Sequence, residues 1–342
     1  MLLKITHKTT LSYSKEVSGT IFEARMGPRS DDDQTTLSYA LYSSPSAPVT
    51  SYRDGDGNRI DLFNIIQSFD QLQVDATSFV RTHRRDALSR LLSDPSERQT
   101  PIQNLSMEMR ELLKPSPLIP LGQSLREFGA TLNWTDNDSA RDRAMRLLDS
   151  ISSRLIYQSD VTNAWTSVDE VLELNRGVCQ DFAHALIGLA RIKGMPARYV
   201  SGYIHQPGQI ATHAWAQVWF GPRIGWIDLD PTREGFANNE HVTVAYGRDY
   251  SDVPPNRGIW SGDAIESIHV AVEITPTDSL PSDHSIYTPR KKNQIKNHHR
   301  FLTSRKPFSI EKPRTWPQSV NTLARQPFQP SSHPQQTQQQ QS

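Results

Sequence analysis

One cysteine, one histidine and two aspartates follow each other in the middle of this sequence in an order that suits nucleophilic catalysis. Cys179 comes first, His213 lies 34 residues later, and Asp228 and Asp230 come next. A thiolate can attack a carbonyl carbon, a histidine can take up the thiol proton and return it to the leaving group, and a carboxylate can orient the histidine. This order predicts Cys179 as a nucleophile with His213 as its base. Either aspartate could orient the histidine ring.

The segment after residue 178 predicts a helix that begins at the cysteine. Apolar residues recur at helical spacing, Lys193 falls in the last turn, and Gly194 is suited to the position after the helix. The first N–H groups of a helix have no partner within it, so they favour a thiolate and can bind an oxyanion formed by its attack. The predicted apolar stripe consists of Ala183, Leu186, Ile187 and Ala190.

Strands are predicted to carry the other two candidate groups. Three β-type segments follow the helix, at residues 197–204, 213–220 and 225–229. Another helix is predicted upstream, with Asn137 or Asp138 as its N-cap. Its apolar stripe is Ala144, Leu148, Ile151 and Leu155.

The rest of the chain divides by composition. The first part has short β-type runs, a turn at residues 54–58 and a strand from Arg59, which together predict an antiparallel β-sandwich. A proline-interrupted region with short helices follows, and the end of the chain is basic and then rich in Pro and Gln, a composition typical of disorder. The predicted class is α+β, with a β-sandwich at 1–85, a helical connection at 86–136, a catalytic domain at 137–277 and a disordered tail at 278–342.

Three blocks of this sequence resemble the signature blocks of the transglutaminase-like superfamily of papain-type cysteine enzymes. They are Gly177-Val178-Cys179-Gln180-Asp181-Phe182-Ala183, His213-Ala214-Trp215 and Gly225-Trp226-Ile227-Asp228-Leu229-Asp230-Pro231-Thr232. The β-rich start is similar to the N-terminal region of bacterial transglutaminase-like proteins, and residues 244–255 resemble the segment after the family's aspartate.

This resemblance implies roles for individual residues. The family aspartate directly precedes Pro or Ala and then Thr, which implies Asp230 as the third member of the triad and leaves Asp228 outside it. Tyr157 and Gln180 are the implied support of the oxyanion. The resemblance implies no metal and no cofactor, because no acidic loop like the calcium sites of the animal transglutaminases is present.

Several residues allow a structural interpretation beside a functional one. Trp215 could line a substrate cleft, although aromatic residues in strands more often lie in the core. Arg248 and Asp249 either form a structural ion-paired corner or shape the acceptor side of the cleft. His184 is expected at a cap or on the surface. His241, like the other remaining histidines, has no carboxylate at an informative spacing, which argues against a metal site.

Composition limits the partners and the compartment. Lysine and arginine together number 37, as do aspartate and glutamate. The chain therefore has no net positive charge that would indicate nucleic-acid binding. Residues 290–314 hold nine basic residues and one acidic residue, and this basic tail could contact an acidic partner. One cysteine cannot form an intramolecular disulfide, which favours the cytoplasm. Neither a signal peptide nor a membrane span is predicted.

The function expected from these features is thiol-dependent acyl transfer on peptide or carboxamide bonds through an acyl-enzyme. Hydrolysis by a peptidase or amidase is favoured, because the sequence shows no dedicated amine site. A true transglutaminase, a non-catalytic peptide-binding adaptor built on the same fold, and an enzyme that acts beside a partner ligase remain alternatives.

Overall fold

The computed structural model describes residues 1–94, 96–133, 135, 137–206 and 212–280. The predicted tail beyond residue 280, including the basic run at 290–314, lies outside the described residues. Within the part that is described, no helix combines the length and the apolar character needed to cross a membrane.

A long first strand organises the N-terminal sheet. β1 (Leu2–Ala24) pairs along its first half with β5 (Phe69–Thr82) and β14 (Glu266–Pro276), and along its second half with β4 (Arg59–Ile65) and β13 (Asn256–Ser261). β2 (Gln34–Ser44) extends the sheet beside β5, and β3 (Thr50–Arg53) extends it beside β4. Leu3, Ile5, Leu11 and other alternate residues of β1 are buried, as the period of a strand requires. The predicted antiparallel β-rich start is therefore present.

The turn before β4 connects this sheet to the second half of the molecule. Gly57 has a φ of 73°, in the left-handed region that glycine tolerates, and β4 begins at Arg59 as predicted. The side chain of Asn58 is fully buried. Its Nδ2 donates to the carbonyl of Tyr246 at 2.8 Å, and its Oδ1 accepts from the Tyr246 amide at 2.8 Å. One buried amide thus bonds both main-chain groups of a residue in the other sheet.

A second antiparallel sheet carries the candidate chemistry. Its strand order is β11-β10-β9-β8-β12. The strands are β8 (Ala197–Ile204), β9 (Thr212–Trp219), β10 (Trp226–Asp230), β11 (Gly235–Phe236) and β12 (His241–Gly247), and the short β6 (Ile156–Tyr157) and β7 (Arg176–Gly177) form a parallel pair elsewhere. All three strands predicted here from sequence are found within one residue of the expected bounds.

The described chain has six α-helices, of which α6 has the most contacts with this sheet. They are α1 (Ala87–Leu92), α2 (Met107–Glu111), α3 (Gln123–Thr131), α4 (Ala140–Arg154), α5 (Val168–Leu174) and α6 (Cys179–Ile192), with 3-10 turns at Ile102–Asn104 and Tyr250–Asp252. The predicted stripe of α4 is buried. Its N-cap, however, is Ser139 and not Asn137 or Asp138, because the Ser139 hydroxyl accepts from the Asp142 amide at 3.1 Å. The Asp138 carboxylate instead accepts from the Thr135 amide at 3.0 Å.

Helix α6 begins at Cys179 and ends before Gly194, as predicted. Gly194 has a φ of 75° and follows Lys193 at the end of the helix. Every residue from Cys179 to Arg191 is buried, not only the predicted apolar stripe. The helix is enclosed because other helices and strands β8 and β9 pack around it. His184 is therefore buried, not on the surface as predicted, and its Nε2 accepts from the Tyr250 amide at 3.2 Å.

The end of the described chain returns to the N-terminal sheet. β13 and β14 pair with β1, although the sequence interpretation assigned residues up to 277 to the catalytic domain. An alternating strand pattern shows that one face is buried but does not identify the neighbouring strand. The α+β class is confirmed, with a β-rich N-terminal unit that takes strands from both ends of the described chain.

Candidate active site

The turn before α6 holds Cys179 at the helix N-terminus. The amide of Val178 donates to Oδ2 of Asp181 at 2.8 Å, and the Thr162 hydroxyl donates to the same oxygen at 2.6 Å. Burial raises the pKa of Asp181 to about 6. A Cβ on Gly177 would collide with the Asp181 side chain, so glycine is required there. Asp181 thus acts as a buried cap that fixes the chain next to the cysteine.

His213 and Asp230 lie where two neighbouring antiparallel strands bring them together. Leu229 of β10 lies opposite Ala216 of β9, so the end of β10 is next to the start of β9. Nε2 of His213 is 2.8 Å from Oδ2 of Asp230. The side chain of His213 is 8% exposed and that of Asp230 is fully buried. The aspartate therefore contacts the ring in a site from which water is largely excluded.

His213 also forms a hydrogen bond with the thiol of Cys179. Because Nε2 faces Asp230, Nδ1 is the ring nitrogen left for the sulfur. Burial by itself lowers the pKa of His213, but the charge and hydrogen bond of Asp230, together with Cys179, outweigh it and raise this pKa to about 10. The ring is therefore protonated near neutral pH, as a general acid must be before it protonates a leaving amine.

A second histidine, His241, contacts the same carboxylate oxygen of Asp230 as His213 does. Its Nε2 is 3.0 Å from Oδ2 of Asp230, and its Nδ1 accepts from the Asn238 amide at 3.1 Å. Because an ionised carboxylate can only accept, Nε2 of His241 carries a proton and donates it to Asp230. The Thr232 amide donates to Oδ1 at 3.1 Å. Burial alone would raise the pKa of Asp230, but the two histidines hold it well below its usual range.

The sequence interpretation did not include His241. It set this residue aside because no carboxylate lies at an informative spacing, yet Asp230 lies eleven residues earlier in the chain. The contact forms because the short segment between β11 and β12 crosses from one edge of the sheet to the other. It includes a turn in which the His241 amide donates to the carbonyl of Asn238 at 3.1 Å. Asn238 and Asn239 indicate a turn locally, but the sequence does not show which side chains the crossing brings together.

Comparisons with known proteins identify the family of this chain. The family model of the transglutaminase-like superfamily matches residues 127–231, and that of the bacterial transglutaminase-like N-terminal region matches residues 3–81. An uncharacterized protein of Mycobacterium leprae is 30% identical over 284 residues, which are 80% of this chain and 98% of that protein. This chain belongs to the transglutaminase-like superfamily.

Two further matches extend the comparison. A solved structure from Cytophaga hutchinsonii, provisionally described as a cysteine protease, superposes with a TM-score of 0.67 at 23% identity, over 84% of this chain and 95% of that one. A protein-glutamine gamma-glutamyltransferase of Pseudomonas aeruginosa is 34% identical over 74 residues, 19% of this chain and 11% of that protein. The fold is thus the papain-type fold of the transglutaminase-like superfamily.

Tyr157 and Gln180, the two residues that the family resemblance assigned to oxyanion support, differ in exposure and in contacts. Tyr157 of β6 pairs with Gly177 of β7, two residues before Cys179, and its side chain is 46% exposed. Burial and the nearby Cys179 and Asp181 raise the pKa of Tyr157 to about 12, so its hydroxyl stays a donor. Gln180 is buried, and its Nε2 donates to the carbonyl of Ala164 at 3.0 Å. The role of Tyr157 as an oxyanion donor stays a prediction, while Gln180 holds a neighbouring loop.

The three candidate cleft residues have mainly structural contacts. Trp215 is fully buried, which fits the core position favoured from sequence and not the cleft that the sequence also allowed. Arg248 forms a two-pronged ion pair with Asp252, with N–O distances of 2.9 and 3.0 Å. The buried Asp249 accepts from the amides of Leu118 and Ser251, each at 2.8 Å. Both residues thus belong to a structural corner, although Arg248 pairs with Asp252 and not with Asp249.

A metal ion has one candidate location among the described residues. His213, Asp230 and His241 each place a donor atom within 4.8 Å of the others. Hydrogen bonds from both rings to the carboxylate already account for this closeness. A metal ion would have to displace those two N–H donors. His213, Asp230 and His241 therefore fit a hydrogen-bonded cluster better than a metal centre. The absence of a metal requirement stays a prediction.

Asp228 has structural contacts, and we expect its replacement to lower stability more than reactivity. Its carboxylate accepts from Trp215 Nε1 at 2.7 Å and Gln217 Nε2 at 3.0 Å, and pairs with the buried Arg84 at 3.2 Å. In Asp228→Asn the Arg84 guanidinium keeps one ion pair, the longer one with Asp33 at 3.7 Å. Losing one partner of a buried pair should reduce the free energy of unfolding by about 3 kcal/mol, measured by urea denaturation.

The matched control for that substitution is Asp33→Asn. Asp33 is 18% exposed and farther from Arg84, so its loss should cost less than the loss of Asp228. The alkylation rate of Cys179 should stay within about threefold of the wild type in both folded variants, an order-of-magnitude expectation for sites outside the reaction. Equal stability of Asp228→Asn and the wild type would contradict the structural role.

Proposed function

We propose that this chain is a thiol-dependent acyl-transfer enzyme that acts on peptide or carboxamide bonds through Cys179, His213 and Asp230. The observation that supports this proposal best is that one buried imidazole bonds both the only thiol of the chain and a buried carboxylate. A structural cysteine has no need of an oriented and protonated ring beside it. Membership of the transglutaminase-like superfamily adds support.

The reaction follows from these positions. The Cys179 sulfur attacks the carbonyl carbon and forms a C–S bond, and the first N–H groups of α6, with Tyr157, stabilise the oxyanion. As the tetrahedral intermediate collapses, the C–N bond breaks and His213 gives its proton to the leaving amine. Water then attacks the thioester carbon with His213 as base: a C–O bond forms, the C–S bond breaks, a carboxylic acid leaves, and His213 keeps the proton it took from the water. Asp230 keeps the ring oriented throughout.

We favour water over an amine as the second substrate, which makes the protein a peptidase or amidase with protein or peptide substrates. The alternative is protein-glutamine acyl transfer, favoured by the similarity of 74 residues to the Pseudomonas aeruginosa glutamyltransferase. A cytoplasmic location remains a prediction from the single cysteine, and a non-catalytic peptide-binding adaptor remains the contrasting hypothesis.

A mass-spectrometric test separates these functions. The protein is incubated with a peptide library, with and without a primary amine, and its intact mass is measured. We expect an adduct on Cys179 equal to the donor minus its amine, and free acid as the main product even when the amine is present. An amide of the added amine as the main product would instead identify a transglutaminase.

The control for this experiment is the Cys179→Ala protein. It should form no adduct and no product, while still binding the peptides that the wild type consumes. Tight peptide binding by the wild type with no adduct and no turnover would reject the enzyme and support the adaptor.

A further inference from the structure

A pocket lies between the two sheets and reaches the candidate catalytic histidine. On one side it is lined by His7 and Arg25, from β1 and the residue that follows it. On the other side it is lined by Tyr203, at the end of β8, and by Thr212 and His213 of β9. The N-terminal region therefore forms one wall of a cavity whose other wall carries the candidate base.

Hydrogen bonds between the sheets fix the shape of this pocket. Nδ1 of His7 is 2.8 Å from the Tyr203 hydroxyl, and that hydroxyl donates to the carbonyl of Met26 at 3.3 Å. The Arg25 amide donates to the carbonyl of Pro255 at 2.8 Å, next to the pocket. Residues from both sheets are thus bonded to each other around the cavity, so a ligand would meet a preformed site.

Two positively charged side chains line the pocket, those of Arg25 and His213. The side chain of Arg25 is 7% exposed, and the described residues that line the pocket include no aspartate and no glutamate. His7 is not a second cation near neutral pH, because burial lowers its pKa to about 4. His213 is protonated, but its Nε2 is bonded to Asp230. The buried Arg25 therefore lines a pocket whose described lining residues include no carboxylate.

Arg25 has few partners for a buried arginine. Its Nη1 donates to Glu23 at 3.3 Å, and Glu23 lies outside the pocket lining with its side chain 27% exposed. Nε of Arg25 is buried and has no hydrogen-bond partner among the described residues. A guanidinium has five N–H donors arranged for a carboxylate. A buried donor without an acceptor needs an explanation, and beside a pocket a bound acceptor can supply it.

We propose that this pocket binds a carboxylate of the acyl donor through Arg25, and so selects acidic substrates for the reaction at Cys179. The inference rests on the proposed function and specifies its substrate class. The carboxylate would belong to an acidic side chain or to a peptide C-terminus near the bond that is cleaved. Its oxygens would accept hydrogen bonds from the Arg25 guanidinium while the reacting carbonyl lies beside His213.

Labelling of Cys179 tests the proposal without a known substrate. The probes are maleimides with an acetic, propionic or butyric acid on nitrogen, each compared with its own primary amide. For the best chain length we expect the acid-to-amide rate ratio of the full-length protein to fall about tenfold in Arg25→Gln, the effect of one lost charged hydrogen bond. Arg25→Lys should retain part of the preference.

Two further variants separate the pocket from general electrostatics. Glu23→Gln removes the counter-ion of Arg25 and should raise the acid-to-amide ratio, which also keeps the test decisive if Arg25→Gln does not fold. Arg85→Gln removes the same charge from a side chain that is 61% exposed, outside the pocket, and should leave the ratio unchanged. A ratio that neither Arg25→Gln nor Glu23→Gln changes would overturn the inference.

Competition identifies the source of the carboxylate. A glutamate-containing peptide with an amidated end is compared with a neutral peptide that has a free C-terminus, as protectors of Cys179 from labelling. Failure of the proposed function looks different from failure of the inference: Cys179 would then react with both maleimides no faster than a free thiol, although the ratio would still report on the pocket.

Discussion

Cys179→Ala should reduce turnover of any donor found in the peptide library by about a millionfold, the scale on which removal of a catalytic nucleophile acts. The substitution removes the atom that forms the acyl-enzyme, and no other thiol exists in the chain. The buried site loses only one sulfur atom, so we expect the variant to stay folded. Initial rates with matched concentrations of folded protein, checked by circular dichroism, measure the effect.

Cys179→Ser is the closest control for that loss. Its hydroxyl keeps a hydrogen-bonding group beside His213, so a strong reduction in this variant would show that the thiolate is needed and not merely the shape of the site. Full turnover in either variant would contradict the proposed mechanism. Loss of turnover with unchanged peptide binding would reject the adaptor as the chain's function.

Asp230→Asn should reduce kcat by about 10⁴-fold, as expected when a triad loses the carboxylate that orients its histidine. Both oxygens of Asp230 accept N–H groups, from His213, His241 and Thr232. Asparagine has one acceptor oxygen, so its own N–H₂ group must face at least one of these donors. The His213 ring then loses its charged partner, its fixed orientation or both. Steady-state kinetics of purified protein test this expectation.

The pH profile of the same variant gives a second measurement. Asp230 raises the pKa of His213, which reaches about 10 in the wild type, so the protonated ring persists into alkaline solution. Without the carboxylate this pKa falls, and the alkaline limb of kcat/KM should move to lower pH. Asp228→Asn is the matched control, because it makes the same change two residues earlier in β10 and should leave that limb in place. An unchanged alkaline limb in Asp230→Asn would contradict the role of Asp230.

Local sequence patterns were sufficient to predict the helix and the strands that carry the proposed triad. The N-terminal and C-terminal signals around Cys179 and Gly194 predicted the bounds of α6, and β-type runs predicted β8, β9 and β10. The reason is physical: capping groups, glycine at positive φ and the period of burial act within a few residues of the chain. The order of cysteine, histidine and aspartate, matched to its family, then identified the side chains that the structure brings together.

Only the tertiary structure decided the contacts between distant segments. Periodicity shows that a face is buried but not what covers it, so the sequence did not reveal that β13 and β14 join β1 or that α6 is enclosed on every side. The second side-chain donor to Asp230 comes from His241 because the chain crosses between β11 and β12 from one edge of the sheet to the other. Arg25, far from the triad in sequence, lines the pocket that reaches His213 because the two sheets pack together.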